Sequence, residues 1–291
     1  MIFGHTIDFC DEPSLNFSLT SPYDSEKLLQ VKEQSLPLFT YQTEYMPHSL
    51  QQVRYAFHKP MQETKGRQVE WMMEVQNVLK LVWFPDSRTI GYEKLKGYTP
   101  ERLRFWVYHT FLPLLFQMEG IYHILHVGSV EVEGKAVILT APSFGGKSTL
   151  TDYFLRRGHC LLSDDTLAIE KGIKTPFLAV PSWPFHRPYR KAEVLGKLTE
   201  RFATHALEIA AVYKLEKVEA CENVNVKKLK GIEKFKAIHE SAFIPLFFLK
   251  QETFDFHTAF AKEVAVKQIT VPWDLERLEE VYTTIIADVR G

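Results

Sequence analysis

One stretch, Ala141–Thr149, constrains the fold of this chain more than any other feature of the sequence. It reads Ala-Pro-Ser-Phe-Gly-Gly-Lys-Ser-Thr and follows the continuous apolar run Ala136–Thr140, which is typical of a strand buried on both faces. A helix is expected over Lys147–Arg157, with Gly158 as its stop. A phosphate-binding loop has this pattern: a glycine-containing turn that joins such a strand to a helix and ends in Lys-Ser. Here Ala141 occupies the position of the usual first glycine.

Each part of this pattern has a chemical purpose. Gly145 and Gly146 let the backbone curl so that successive N–H groups face an anion, and the following helix places its positive end at the same point. Lys147 can reach the β- and γ-phosphates, while the Ser148 hydroxyl is placed to bind Mg²⁺. The loop therefore predicts a site for a nucleoside triphosphate. The loop residues expected to hold ATP are Ser143, Phe144, Gly145, Gly146, Lys147, Ser148 and Thr149.

Two adjacent acids follow the loop. The short predicted strand Cys160–Leu162 leads into Ser163, Asp164 and Asp165. Strand ends beside a phosphate loop form the ligand crevice of α/β folds. One carboxylate there can serve the metal, and the other can accept a proton from an attacking hydroxyl. Mutual repulsion would raise the pKa of one of them, as a general base requires. A plain surface turn is the alternative interpretation.

The composition limits the classes of partner. Apolar residues make up 45% of the chain and charged residues 24%, which excludes a disordered protein. Lys and Arg number 35 against 36 Asp and Glu, so the basic excess of a non-specific nucleic-acid binder is missing. The three cysteines are far apart in the sequence, which is typical of a reducing compartment. The first residues lack a signal-peptide pattern, and the apolar runs are too short to span a bilayer. We therefore expect a cytoplasmic protein that does not contact membrane.

The chain is expected to have two parts. Residues 1–98 contain short β-like runs such as Val78–Phe84 and are predicted to form a small N-terminal α+β module. Residues 99–291 are predicted to form the main domain. It begins with a helix that has Thr99 as its capping hydroxyl, a proline at its first position and a kink at Pro113.

Further elements are predicted in the main domain. His126–Glu133 alternates as a strand, and Thr166–Glu170 with Thr175–Val180 is expected to form a hairpin. Apolar residues at helical spacing over Leu275–Val289 predict a closing amphipathic helix. The lysines of Lys227–Lys236 are expected on a helix, as a solvated face or as a dock for an acidic peptide.

Together these features resemble the HPr kinase/phosphorylase catalytic domain. The resemblance extends from Leu125 to Asp165 and includes a histidine before the first strand, the loop, an Arg-Gly-His turn at Arg157 and the paired aspartates. It implies an α/β fold with a P-loop kinase core of the HPr kinase/PEP-carboxykinase-like type, in which helices flank a mixed sheet.

The resemblance also implies roles for single residues. Asp165 matches the residue that takes the proton from the substrate serine, and His126 matches the catalytic histidine near that aspartate. Lys147 matches the phosphate lysine and Ser148 a magnesium ligand, and we expect Asp164 to serve the metal as well.

Two departures point to a divergent branch of the family. Thr149 stands where the family usually has glutamate, and an Arg-Gly-Leu-Gly signature is missing. The segment Pro181–Lys191 looks more like HPr kinase-like proteins of lasso-peptide clusters, which modify the C-terminal serine of a precursor peptide. In it, Arg187 and Arg190 could bind a nucleotide phosphate or a peptide carboxylate, with a solvated loop as the alternative.

The sequence thus predicts a kinase that uses ATP and Mg²⁺ to phosphorylate a serine-type hydroxyl on a peptide or protein. Two alternatives stay open. The same site could phosphorylate a small metabolite or a sugar, or the chain could be a nucleotide-sensing regulatory module without catalysis. Assembly into a homo-oligomer also stays open.

Overall fold

The computed structural model describes residues 1–16, 27–48, 51–57, 69–173, 175–187, 193–244 and 246–291. Over these residues the chain is a mixed α/β protein with two compact units. One unit comprises Met1–Ile121 and Arg190–Leu195, and the other comprises Tyr122–Tyr189 and Gly196–Gly291, each without the residues outside the described ranges. The predicted boundary after residue 98 stays a prediction about domains; in the structure the helix that starts at Pro100 belongs to the first unit.

The first unit is built on one large sheet. Its strands are β1 (Thr6–Phe9), β2 (Leu28–Glu33), β3 (Met46–His48), β4 (Gln51–Phe57), β5 (Trp71–Val75), β6 (Leu79–Phe84) and β7 (Thr89–Lys94). Their order across the sheet is β1-β2-β7-β6-β5-β4-β3. The pairs β1–β2 and β2–β7 are parallel, and pairing is antiparallel from β7 to β3. Strand β6 confirms the strand predicted at Val78–Phe84.

The predicted helix after Thr99 is present, with an irregular turn at its centre. It consists of α1 (Pro100–Trp106), a π-helical turn (Val107–Phe111) and α2 (Leu112–Met118). The Thr99 side chain accepts a hydrogen bond from the backbone N–H of Arg102, which confirms the predicted cap. Pro113 cannot donate to the carbonyl one turn earlier, so the predicted kink takes the form of the wider turn that precedes it.

The second unit contains the remaining strands and helices. Its strands are β8 (His123–Leu125), β9 (Gly128–Val132), β10 (Lys135–Thr140), β11 (Leu161–Ser163), β12 (Leu167–Lys171), β13 (Phe177–Val180), β14 (Phe185–His186), β15 (Lys197–Leu198), β16 (Leu207–Val218), β17 (Val226–Lys228) and β18 (Val266–Pro272). Its helices are α3 (Lys147–Arg156), α4 (Gly231–His239), α5 (Lys250–Glu263) and α6 (Leu278–Arg290).

The main sheet of this unit is mixed. Its order is β11-β9-β10-β16-β13-β12-β8, and β18 pairs with β16 and β17. Strands β10, β16 and β18 are parallel to one another, while β9 is antiparallel to both β10 and β11. Strands β14 and β15 form a separate ribbon.

Both faces of the sheet are covered, which explains the continuous apolar run of β10. Val137 and Leu139 pack in one cluster with residues of α3 and α6, while Ile138 packs in another with residues of α5. The predicted closing helix is α6, with Leu278, Val281 and Ile285 buried. Leu275 lies before that helix and is 72% exposed, so its assignment to the buried stripe is wrong.

Other predictions near the site have a mixed outcome. The β12–β13 hairpin and helix α3 are confirmed. The predicted strand His126–Glu133 is shorter, because β9 begins at Gly128 and leaves His126 in the link after β8. The lysines of Lys227–Lys236 are divided between β17 and α4, so their assignment to a single helix is wrong. Among the described residues, no helix is both long and apolar enough to cross a bilayer.

Candidate functional site

Two glycines shape the loop between β10 and α3. Gly146 has φ +90°, a conformation that residues with a side chain rarely adopt, and it directly precedes the helix. At Gly145, a Cβ would lie 2.7 Å from the Cβ of Ala141 and 2.9 Å from the carbonyl oxygen of Pro142. The loop therefore needs small residues at both positions 141 and 145, which explains why alanine can replace the usual first glycine.

The lysine of the loop is buried against the loop itself. Lys147 is 5% exposed, and its Nζ donates to the carbonyl oxygens of Ala141 (2.7 Å) and Pro142 (3.4 Å). A buried ammonium group requires such partners. Gly146, the N-cap residue of α3, has no side chain that could accept from the N–H groups of the first turn. The positive end of the helix is thus left to another acceptor at this point.

The remaining loop residues differ in exposure. Ser143 is exposed, and Phe144 is 84% exposed with φ +63°. Ser148 and Thr149 lie in the first turn of α3 and are partly buried. The structure thus places the predicted nucleotide-binding residues in one continuous turn, with the lysine inward and the phenylalanine outward.

Strand register brings the paired aspartates level with this loop. Ser129 of β9 is opposite Ile138 of β10 on one side and Ser163 of β11 on the other. Thr140 lies two residues after Ile138, and Asp165 lies two residues after Ser163. Both therefore reach the same edge of the sheet. Two strand spacings, or about 10 Å, separate β10 from β11 there.

Asp165 lies beside His126. Oδ1 of Asp165 is 3.6 Å from Nδ1 of His126, and the carboxylate is buried while the imidazole is partly exposed. This distance fits an ion pair and is too long for a hydrogen bond. Backbone bonds hold both residues, since the N–H of Val127 donates to the Asp165 carbonyl (3.0 Å) and the N–H of His126 donates to the Ser241 carbonyl (2.7 Å).

Asp164 has a different set of partners. Its Oδ2 accepts from the backbone N–H of Arg187 (2.8 Å), and its Oδ1 lies 3.3 Å from Nδ1 of His186. Nε2 of the same imidazole is 3.2 Å from Oδ1 of Asp152 on α3. A buried histidine therefore lies between two carboxylates, one on the loop helix and one after β11.

The charge of His186 follows from this position. Burial alone would lower the pKa of the imidazole, but Asp164 and then Asp152 outweigh burial and raise the pKa above its ordinary value. The raised pKa favours the protonated imidazole that pairs with both carboxylates, and the contact with Asp164 helps to orient that carboxylate.

Comparisons with known proteins give a distant likeness. No protein-family model matches this chain, and no curated protein matches it. One solved structure that it resembles is the Hpr(Ser) kinase/phosphatase from Coxiella burnetii, with 14% sequence identity and a TM-score of 0.36. The alignment covers 58% of this chain and 99% of that one. At these values the likeness carries no argument about the activity of this chain.

The side chains around the loop include oxygen donors of the kind that a divalent cation prefers. Within the described ranges, no group of three or more His, Cys, Asp or Glu residues could hold a metal by itself. Mg²⁺ on a triphosphate needs only one or two protein oxygens, because phosphates and water supply the others. Oδ1 of Asp164 is buried and lacks hydrogen-bond geometry to any described donor, His186 included. That oxygen and the Ser148 hydroxyl are suitable donor atoms.

Sequence reasoning missed His186 and Asp152. Asp152 lies on the helix that begins with the loop lysine, and His186 directly precedes Arg187 in a segment already noted for its cations. No local pattern pairs them with Asp164, because β14 and α3 meet only in the folded chain. For Arg187, the described contact with the site is made by its backbone N–H. Arg190, the other predicted phosphate ligand, lies outside the described residues.

Proposed function

We propose that this chain is an HPr kinase-like enzyme, with a P-loop kinase core of the HPr kinase/PEP-carboxykinase-like type. It transfers the γ-phosphoryl group of ATP, with Mg²⁺, to a serine-type hydroxyl on a peptide or protein. One observation carries the proposal: Lys147 and Asp165 are both buried, and the strands that lead to them, β10 and β11, end at the same sheet edge about 10 Å apart. In this proposal the terminal phosphoryl group lies between the loop and Asp165.

In this proposal the loop binds the phosphates. Apart from that of Gly145, which donates to the Pro142 carbonyl (3.0 Å), the N–H groups from Ser143 to Thr149 would surround the β- and γ-phosphates. The Lys147 ammonium would exchange the carbonyls of Ala141 and Pro142 for phosphate oxygens. Arg187 and Arg190 are further candidates for contact with phosphate or with a carboxylate of the acceptor.

The Ser148 hydroxyl and Oδ1 of Asp164 would hold Mg²⁺. When bound, the ion neutralises charge that develops on the β- and γ-oxygens. The Arg187 N–H, which donates to Oδ2, and His186, which lies 3.3 Å from Oδ1, keep the Asp164 carboxylate in one orientation.

Asp165 would act as the base. It accepts the proton of the acceptor hydroxyl while that oxygen bonds to the γ-phosphorus and the bond to the β-phosphate oxygen breaks, which releases ADP. His126, with its Nδ1 3.6 Å from Oδ1, would orient the carboxylate. Positioning and electrostatics supply most of the rate enhancement in reactions of this kind.

The acceptor is proposed to be a peptide, and the C-terminal serine of a lasso-peptide precursor is the narrowest form of this proposal. A partly exposed His126 beside the buried Asp165 is compatible with an acceptor that reaches the base from outside. A cationic segment at Arg187 suits a peptide that ends in a carboxylate.

Intact-mass spectrometry tests the proposal directly. Peptides that end in serine are incubated with the protein and Mg·ATP, next to matched peptides that end in alanine. We expect the serine peptides alone to gain one phosphoryl group, and Lys147→Ala to abolish the gain. Transfer only to sugars or small metabolites would replace the peptide acceptor. ATP binding without transfer to any acceptor would indicate a nucleotide-sensing module instead.

A further inference from the structure

A large aromatic side chain lies beside the phosphate loop and has no part in the mechanism above. Trp273 directly follows β18 and is 50% exposed. A Cβ on Gly146 would lie 3.9 Å from Cζ3 of its indole. Its backbone N–H donates to the carbonyl of Val218 at the end of β16 (3.0 Å). This hydrogen bond holds the backbone of Trp273 at the edge of the sheet.

Sheet order places Trp273 on the side of the loop opposite to the aspartates. The order is β11-β9-β10-β16, with β18 next to β16, and the parallel strands β10, β16 and β18 end at one edge. Asp165 follows β11 at one side of that edge, and Trp273 follows β18 at the other. With its terminal phosphoryl group directed to Asp165, a nucleotide that continues across the loop extends its nucleoside towards β16 and β18.

The indole is oriented by a cation. Nζ of Lys217, on β16, lies 3.8 Å from the centroid of the Trp273 ring. Cation–π attraction of this kind favours one orientation of the ring and covers one of its two faces. The opposite face is the surface on which another flat ring can stack.

We infer that Trp273 is the stacking surface for the base of the bound nucleotide. The inference rests on the proposed function and adds the location of the nucleoside within the site. Every base has a π-face, so this contact strengthens the binding of nucleotides over inorganic phosphates without a strong choice between bases. Loss of one base–aromatic stack weakens binding by roughly 5- to 100-fold.

Calorimetric titration with two matched ligands tests the inference. Mg·ADP and Mg·pyrophosphate share the diphosphate, and only the first has a base. Trp273→Leu keeps an apolar side chain beside Gly146 but removes the aromatic faces, and Trp273→Phe restores a smaller one. The control is Leu275→Ala, which changes an exposed apolar residue on the same segment.

We expect Trp273→Leu to weaken the binding of ADP by about tenfold. Its affinity for pyrophosphate should stay within about twofold of the wild type. Trp273→Phe should recover most of the loss, and Leu275→Ala should change neither ligand. An equal loss of affinity for both ligands, or no loss for either, would overturn the inference. A selective loss of ADP affinity, together with no phosphoryl transfer to any acceptor, would support the stacking role of Trp273 and remove the kinase proposal. A wild-type protein that binds neither ligand would remove both.

Discussion

Two adjacent aspartates have separate surroundings in this site. Successive residues at the end of a strand point in opposite directions, so Asp164 contacts His186 and the Arg187 N–H, while Asp165 lies beside His126. The sequence suggests two carboxylates that repel each other at one point. The structure instead shows two histidine–aspartate pairs, which allows one carboxylate to be fixed and the other to work as a base.

Asp165→Asn tests the assignment of the base. The amide keeps the shape of the side chain but cannot accept the hydroxyl proton, so we expect kcat to fall by roughly 10²- to 10⁴-fold. The dissociation constant of Mg·ATP should stay within a few-fold of the wild type, as measured by calorimetry. Asp255→Asn, a change on the outer part of α5, serves as the control. Turnover retained in Asp165→Asn would remove the base from the mechanism.

His186→Gln tests the buried histidine between Asp164 and Asp152. The pKa of His186 is raised in the folded state, so its contribution to the free energy of unfolding is fully present below the unfolded pKa and is lost as pH rises through the folded pKa. We expect His186→Gln to lower stability by about 1–3 kcal/mol at pH 6 and by less at pH 9. Urea denaturation at both pH values measures the difference; an equal loss at the two values would contradict a charged imidazole.

At the scale of elements, the loop is held by close backbone packing. Gly145 approaches Ala141 and Pro142, and Gly146 turns the chain into α3. In the first unit, the π-helical turn Val107–Phe111 precedes Pro113 within a long buried helix. This turn accommodates the missing N–H of the proline. Both irregularities occur where regular geometry would create a clash or an unpaired carbonyl.

Gly145→Ala should therefore open the loop. The new Cβ would come within 3 Å of Ala141 Cβ and Pro142 oxygen, and neither atom can move without the backbone. We expect ADP affinity to fall about tenfold or more by calorimetry, because the N–H groups that face the phosphates lose their alignment. Gly134→Ala is the matched control: its φ of +73° costs about 1 kcal/mol of stability, but open space surrounds it. Unchanged ADP affinity in Gly145→Ala would contradict this account of the loop.

At the scale of the whole molecule, the described residues of the proposed site all lie in the second unit. The described part of the first unit has its own buried polar centre, in which Glu74 accepts from Tyr45 (2.7 Å) and pairs with Arg54 (2.8 Å). The second unit has a different polar cluster, where His123 stacks on Phe256 at 3.9 Å between centroids.

This histidine cluster makes the second unit sensitive to acid. Burial lowers the pKa of His123 to about 4, helped by Lys171, and burial together with His239 and His123 lowers that of His257 to about 4. The unfolded chain binds protons near its ordinary pKa of 6.5, so stability should fall as pH drops from 6.5 towards 4, by up to about 3 kcal/mol for each histidine.

Urea denaturation between pH 7 and pH 4 measures this loss. His123→Phe keeps an aromatic ring against Phe256 and should flatten the acid dependence, whereas the exposed His205→Gln should leave it unchanged. Identical pH dependence in His123→Phe and the wild type would show that the cluster is not its source.

Sequence patterns predicted those parts of the structure that depend on local order. The loop, helix α3, the β12–β13 hairpin and the Thr99 cap are each defined within a few residues. The contact between His186 and Asp152, and the place of Trp273 beside Gly146, depend on residues far apart in the chain. Leu275 fits the apolar period of α6 but precedes its first turn, so periodicity alone could not show that it is exposed.

The inward position of Lys147 has a consequence for how the site fills. Its ammonium already has two acceptors in the carbonyls of Ala141 and Pro142, which keeps the turn in shape before any ligand arrives. Occupancy is then an exchange of acceptors on a preformed surface, without refolding of the turn. If a nucleotide binds as proposed, the net gain from this cation is smaller than its full charge suggests, and nucleotide release is easier because the lysine can return to the carbonyls of Ala141 and Pro142.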